Sequence, residues 1–149
     1  MTIGAIVVTV AVVAFAASLF LRGSHARVRG GVHARETNFG DVQFQVSDCV
    51  SGEAFVPGFF GVDLRDSGGH SLRVVGTGLE AQLWLNPPPG SKKPAVPFGW
   101  NDCSSFDVMV RWANVAVRRV HTATGRVHVT CGSGMGRLSA DVDFARCAF

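Results

Sequence analysis

After Gly30 the apolar residues recur at every second position, and no segment there holds a helical period. That spacing limits the fold more than any other feature of the chain. Asp41 to Ser47 places Val42, Phe44 and Val46 on one face and Gln43 and Gln45 on the other. Gly61 to Arg65 alternates again and turns at Asp66-Ser67-Gly68-Gly69, and Leu72 and Val74 follow. Gly76-Thr77-Gly78 interrupts before Ala81, Leu83 and Leu85. Phe106, Val108, Val110 and Trp112 form the clearest apolar face. Parity then slips to Val115 and Val117, which predicts a bulge or tight turn near Ala113-Asn114. Val127, Val129 and Cys131 continue the pattern, and Leu138, Ala140, Val142 and Phe144 complete it. Strands that are apolar on one side and polar on the other belong to antiparallel sheets with one wet face. The expected fold is therefore all-β, an antiparallel sandwich or partly closed barrel of about eight strands. Val32 to Glu36 is expected to add an edge strand.

A different kind of segment precedes this domain. Ile3 to Leu21 is free of charge and broken only by Gly4, Thr9 and Ser18. A helix of that length spans roughly 28 Å, close to the thickness of a bilayer core. A cleaved signal peptide would carry a basic start and a shorter apolar stretch, although Ser24-His25-Ala26 offers a small-residue cleavage site. The run has no polar face, which disfavours a soluble helix. The organisation read from the chain is a transmembrane anchor over 1–22, a basic juxtamembrane linker over 23–40 and a β-sandwich domain over 41–149.

Charge narrows the partners. The net charge of +3 comes from Arg22, Arg27 and Arg29, because the 11 basic and 11 acidic residues from Gly30 onward cancel. A balanced domain with basic residues only beside its anchor does not point to nucleic acid. A charged fraction of 17% also excludes a disordered polyelectrolyte.

Cys49, Cys103, Cys131 and Cys147 contain no Cys-x-x-Cys, so neither a zinc ribbon nor a thioredoxin-type motif is present. An even number in a small glycine-rich domain fits a disulfide framework in an oxidising compartment, with four buried thiols as the alternative. A hairpin turning at Gly132-Ser133-Gly134-Met135-Gly136 would leave Cys131 and Cys147 roughly 33 Å apart, far beyond the 7 Å or so that a disulfide spans. Of the two pairings left, Cys103–Cys131 with Cys49–Cys147 is preferred, since the second bond would tie the first strand to the last. The arginines after the apolar run would hold the domain in the cytoplasm, whereas the cysteines argue for the other side of the membrane. The domain is expected to be extracytoplasmic, periplasmic or extracellular.

Asn86 to Pro97 carries five of the six prolines and reads as a surface loop of polyproline character. Pro87, Pro88, Pro89, Lys92 and Lys93 make it a candidate docking loop for a protein partner, or else a plain crossing between sheets. Trp84 is expected to point outward between Leu83 and Leu85, and Trp100 lies in a loop bordering the prolines. Together they form a candidate binding patch suited to sugars, while Trp112 follows the core parity. Of Phe59 and Phe60, one is expected in the core and the other exposed.

Signals for catalysis or metal binding are weak. His121 and His128 are placed across a hairpin from one another, a solvent-exposed pair without a neighbouring carboxylate and so a poor metal site. Asp141 and Asp143 share one strand face, as solubilising charges rather than as an acid–base or calcium pair. The glycine clusters lack the Lys-Ser/Thr and following helix of a phosphate loop. No catalytic, cofactor-binding or metal-ligating residue is assigned.

Three short runs carry a resemblance: Cys49-Val50-Ser51-Gly52-Glu53, Gly58-Phe59-Phe60-Gly61-Val62-Asp63-Leu64 and Val142-Asp143-Phe144-Ala145-Arg146-Cys147. They resemble an uncharacterised bacterial family of small membrane-anchored proteins with a cysteine-containing β-domain. The resemblance implies the anchor and the β-domain, and no activity. The expected function is that of a non-enzymatic, membrane-tethered accessory or binding protein of the cell envelope. The alternatives are a carbohydrate- or lipid-binding module using exposed tryptophan, and a small hydrolase.

Overall fold

The computed structural model describes residues 26–149. Ten strands follow one another: β1 (Arg27–Thr37), β2 (Gly40–Gln45), β3 (Asp48–Ser51), β4 (Gly61–Arg65), β5 (Ser71–Val75), β6 (Gln82–Asn86), β7 (Val96–Phe98), β8 (Cys103–Val117), β9 (Val120–Ser133) and β10 (Gly136–Cys147). They form two five-stranded sheets, ordered β2-β1-β10-β9-β8 and β3-β4-β5-β6-β7. Neighbouring strands are antiparallel throughout, and one isolated parallel bridge, Val50 to Ala148, joins the C-terminal residues to β3. Helix among the described residues is limited to three short 3-10 turns at Gly52–Ala54, Gly78–Glu80 and Trp100–Asp102. No helix there is long and apolar enough to cross a membrane, and Ile3 to Leu21 lies outside the described residues.

The core follows the alternation. Val42, Phe44, Val46, Leu72, Val74, Leu83, Leu85, Val108, Val110, Val127, Val129, Leu138, Ala140, Val142 and Phe144 are all buried between the sheets. Phe106 and Trp112 pack against this core half-buried. The slip of parity is a register shift between Trp112 and Ala116 inside one continuous strand, β8, so the segments on either side of it are a single element.

Four expectations are corrected. The strands number ten because β3 and β7, of four and three residues, are too short to show a period. Val32–Glu36 belongs to the longer β1, which runs between β2 and β10 as an inner strand and not along an edge. Residues 27–40 of the stretch read as a linker are thus part of the sandwich, with Arg27, Arg29, Arg35 and Glu36 exposed and Thr37 buried. Pro97, finally, lies within β7, an edge strand opposite Trp84, where the lost N–H need not serve a ladder.

The four cysteines form two disulfides, Cys49–Cys147 and Cys103–Cys131, with Cα atoms 5.1 and 3.8 Å apart. The first joins β3 of one sheet to β10 of the other, and the second links neighbouring strands β8 and β9. The preferred pairing is the one observed. The exposed edge of β8 is partly closed as well, because the Val110 amide donates to Thr77 Oγ1 at 3.0 Å.

Candidate functional site

The connection from β3 to β4, residues 52–60, does not stay at the end of the sandwich but folds over the outer face of the second sheet. Register places Asp63, Arg73, Trp84 and Pro97 in one row across β4, β5, β6 and β7. Alternation alone would put Asp63 in water, yet it is only 2% exposed. Arg65 Nε donates to Asp63 Oδ2 at 2.8 Å, while Arg73 Nε stands 3.5 Å from Oδ1. The second contact is an ion pair without a hydrogen bond, so Arg73 Nε and Asp63 Oδ1 are both buried without a hydrogen-bond partner. The Arg73 guanidinium lies instead against a contacting pair of aromatic rings, 4.6 Å from the centre of Phe55 and 5.1 Å from that of Phe59, the two rings being 5.4 Å from one another. Arg65 lies 5.5 Å from the Phe55 ring. Two guanidinium groups against one carboxylate leave the floor with a net positive charge.

Beside this row opens a groove of about 460 Å³, walled by Phe55, Val56, Pro57, Phe59 and Trp84, with Arg73 at its base. Asn86 and Ala95, which flank the proline-rich loop, close one side. Trp84 is 38% exposed and points outward as its parity requires. A guanidinium stacked on rings keeps its planar donors available for a carboxylate, phosphate or carbonyl, and an indole wall favours apolar or CH-rich surfaces. The groove is thus chemically suited to hold an anionic or carbonyl-bearing ligand with an apolar flank.

The other sequence candidates are distributed around it. Trp100 is exposed on its own 3-10 turn, where Asp102 Oδ2 accepts the Gly99 amide at 2.8 Å, and it does not line the groove with Trp84. Pro89, Lys92 and Lys93 are exposed, and Pro87 and Pro88 half-buried. The loop that carries them is pinned at the far end of β1: Lys93 Nζ donates to the Asn38 carbonyl, and Asn38 Nδ2 to that of Pro94. Pro89 lies so close to Gly69 that a Cβ there would come within 2.5 Å of its ring. Neither Phe59 nor Phe60 enters the core, since Phe59 faces Arg73 and Phe60 packs on Trp112 with ring centres 4.9 Å apart.

The histidine reading is also corrected. His121 and His128 lie on the same strand, β9, and each has carboxylates at hand. His121 donates its amide to Glu53 Oε2, and its ring Nδ1 lies 3.0 Å from the same oxygen. The hydrogen bond from the His121 amide, helped by the ring, holds Glu53 below the usual carboxylate range. His128 Nε2 stands 3.3 and 3.2 Å from Asp141 and Asp143. On β8, the hydrogen bond from Arg126 lowers Asp107, and Asp107 in turn raises Arg126. His70 closes its own turn through Asp66, Nδ1 to Oδ2 at 2.7 Å. Burial pushes Asp66 up, but the hydrogen bonds from His70 outweigh it and leave the carboxyl lowered.

Among the described residues no three His, Cys, Asp or Glu side chains are placed to hold a metal ion. All four cysteines are committed to disulfides, which removes the thiol as a nucleophile. Compared with models of protein families, with curated proteins and with solved structures, the chain matches none.

Proposed function

We propose that the chain is a non-enzymatic binding protein of the cell envelope, tethered through Ile3–Leu21 with its disulfide-linked domain outside the cytoplasm. Its partner is another envelope component, held in the groove of Phe55, Arg73 and Trp84. The observation that carries this reading is Arg73: its side chain is about a third exposed, stacks on two adjoining phenyl rings and lines an open groove, and its buried Nε has no hydrogen-bond partner. Two disulfides in a small domain support an oxidising compartment. The uncharged apolar run Ile3–Leu21, long enough as a helix to cross a bilayer core, supports the tether.

The test is a photoreactive p-benzoylphenylalanine at Val56, which is fully exposed on the groove rim. Irradiated cells are expected to yield a discrete adduct that disappears in the Arg73→Ala background. No adduct beyond that given by the same probe at the exposed Ser139 of the other sheet overturns the reading. A second reading, a carbohydrate- or lipid-binding module, rests on the exposed Trp84 indole in the groove wall. The mass of the adduct separates the two, since a glycan or lipid leaves no tryptic peptide.

A further inference from the structure

We infer that one end of the sandwich, formed by the β8–β9 turn and the C-terminal residues, rests on an anionic phospholipid surface. The inference rests on the tether proposed above and adds to it a second, non-covalent contact. Arg27, where β1 begins, pairs with Ala145. At the same level of the sheet stand Gly125, opposite Phe144, and Thr124, opposite Arg111. From that level β1 runs away toward Thr37, so Ala26 leaves the sheet at its opposite end. That is the side on which β8 and β9 continue beyond the rest of the sheet. From Thr124 back to Val120 β9 takes four residues, and the extra residues of β8 are absorbed by its register shift, so the hairpin projects about 13 Å further along the strand direction. Leu21, the end of the apolar run, is six residues before Arg27 and can lie at most about 20 Å from it. That reach is long enough for Leu21 to lie level with the tip of the hairpin. An anchored leader would hold the turn against the bilayer surface.

The composition of that end fits such a surface. Arg118 and Arg119 form the two-residue turn closed by the Val117–Val120 pair. Their φ angles of 48° and 69° are left-handed. Turns of this kind favour Asn-Gly, so two arginines here are unfavourable for the backbone and call for a use for their charges. Val115 is 65% and Phe149 52% exposed, and the Arg118 guanidinium lies 5.5 Å from the centre of the Phe149 ring. Arg111 and Arg27 stand exposed at the base of the hairpin. No acidic residue occurs from Val108 to Ala140, and the carboxylate that reaches the hairpin, Glu53, is occupied by His121. Guanidinium groups beside exposed apolar side chains are the combination that lies at a negatively charged lipid interface.

The experiment uses the full chain in nanodiscs of phosphatidylcholine, with and without phosphatidylglycerol, and reads amide hydrogen exchange over residues 113–121. Slower exchange is expected only in the discs containing phosphatidylglycerol. Arg118→Asn/Arg119→Gly removes two charges while suiting the turn better, so loss of folding cannot explain its effect. It is expected to weaken the contact roughly 30-fold and return exchange to the rate in phosphatidylcholine. A chain that enters neither disc overturns the tether and this inference with it. A chain retained in both discs with equal exchange over the hairpin overturns the inference alone. Protection that the double variant leaves intact also overturns it.

Discussion

Removing the two disulfides separately should cost different amounts, in an order that the topology fixes. Cys49–Cys147 closes a segment of 98 residues and Cys103–Cys131 one of 28. Loop-closure entropy then gives about 4.7 kcal/mol for the first and about 3.6 kcal/mol for the second. Topology widens the gap. The first bond joins β3 to β10 across the two sheets, whereas the second links neighbouring strands already held by the long β8–β9 ladder. A denatured chain that keeps part of that local hairpin has less freedom for the second bond to remove. Alanine at Cys49 and Cys147 leaves only the space of the sulfur atoms, so the cavity cost is small beside the entropy. For a domain of about 120 residues these energies correspond to losses of roughly 18 and 14 °C in Tm. Urea unfolding of Cys49→Ala/Cys147→Ala and Cys103→Ala/Cys131→Ala, compared with the native chain, reads the order directly. If the Cys103–Cys131 pair costs as much as the other or more, the reasoning is refuted.

Three further perturbations test the packing and the site. A Cβ at Gly125 would sit 1.8 Å from the Met109 carbonyl oxygen and 2.9 Å from the Phe144 ring, so Gly125→Ala should cost about 1–3 kcal/mol in chemical denaturation. A cost below about 0.5 kcal/mol would mean that β8 and β9 lie further apart. Asp63→Asn leaves Arg65 and Arg73 without their buried counter-charge. Because both arginines are about a third exposed, the expected loss is about 2–3 kcal/mol rather than the full cost of a broken buried pair, and an unchanged midpoint contradicts it. Glu53 is held below its usual range, so its contribution is present above the unfolded-state pKa and is lost as pH falls through the folded one. Glu53→Gln should therefore melt below the native chain at neutral pH, with the gap closing from about pH 5 downward. A gap independent of pH would separate Glu53 from the acid sensitivity.

What the sequence made legible and what it hid have separate physical causes. Burial on one face writes period two into β2, β4, β5, β6, β8, β9 and β10, and their inward residues could be read directly. The cysteine pairing was accessible in part: the turn at Gly132–Gly136 separates Cys131 from Cys147 and so excludes one of the three pairings, while the choice between the other two rested on the preference for a bond that ties the first strand to the last. The groove was hidden because it depends on a loop. Residues 52–60 have no period, and their fold over β4 turns Asp63 from an outward residue into a buried one. One signal was available: counting outward from the turn after Asp66 places Asp63 opposite Arg73, a charge pair in a hairpin. Trp84 announced itself by parity, but nothing local tied it to Phe55 and Phe59, some thirty residues earlier. The carboxylate partner of His121 was equally distant, since Glu53 lies 68 residues away.

The most direct test of a tethered domain outside the cytoplasm is the state of its thiols in cells. Acid-quenched cells are denatured and labelled with a maleimide-coupled polymer, with and without prior reduction, and the shift is read on a gel. The account predicts no shift without reductant and four added polymers after it, because Cys49–Cys147 and Cys103–Cys131 are both closed. Four added polymers without reductant would place the domain in a reducing compartment and contradict the account.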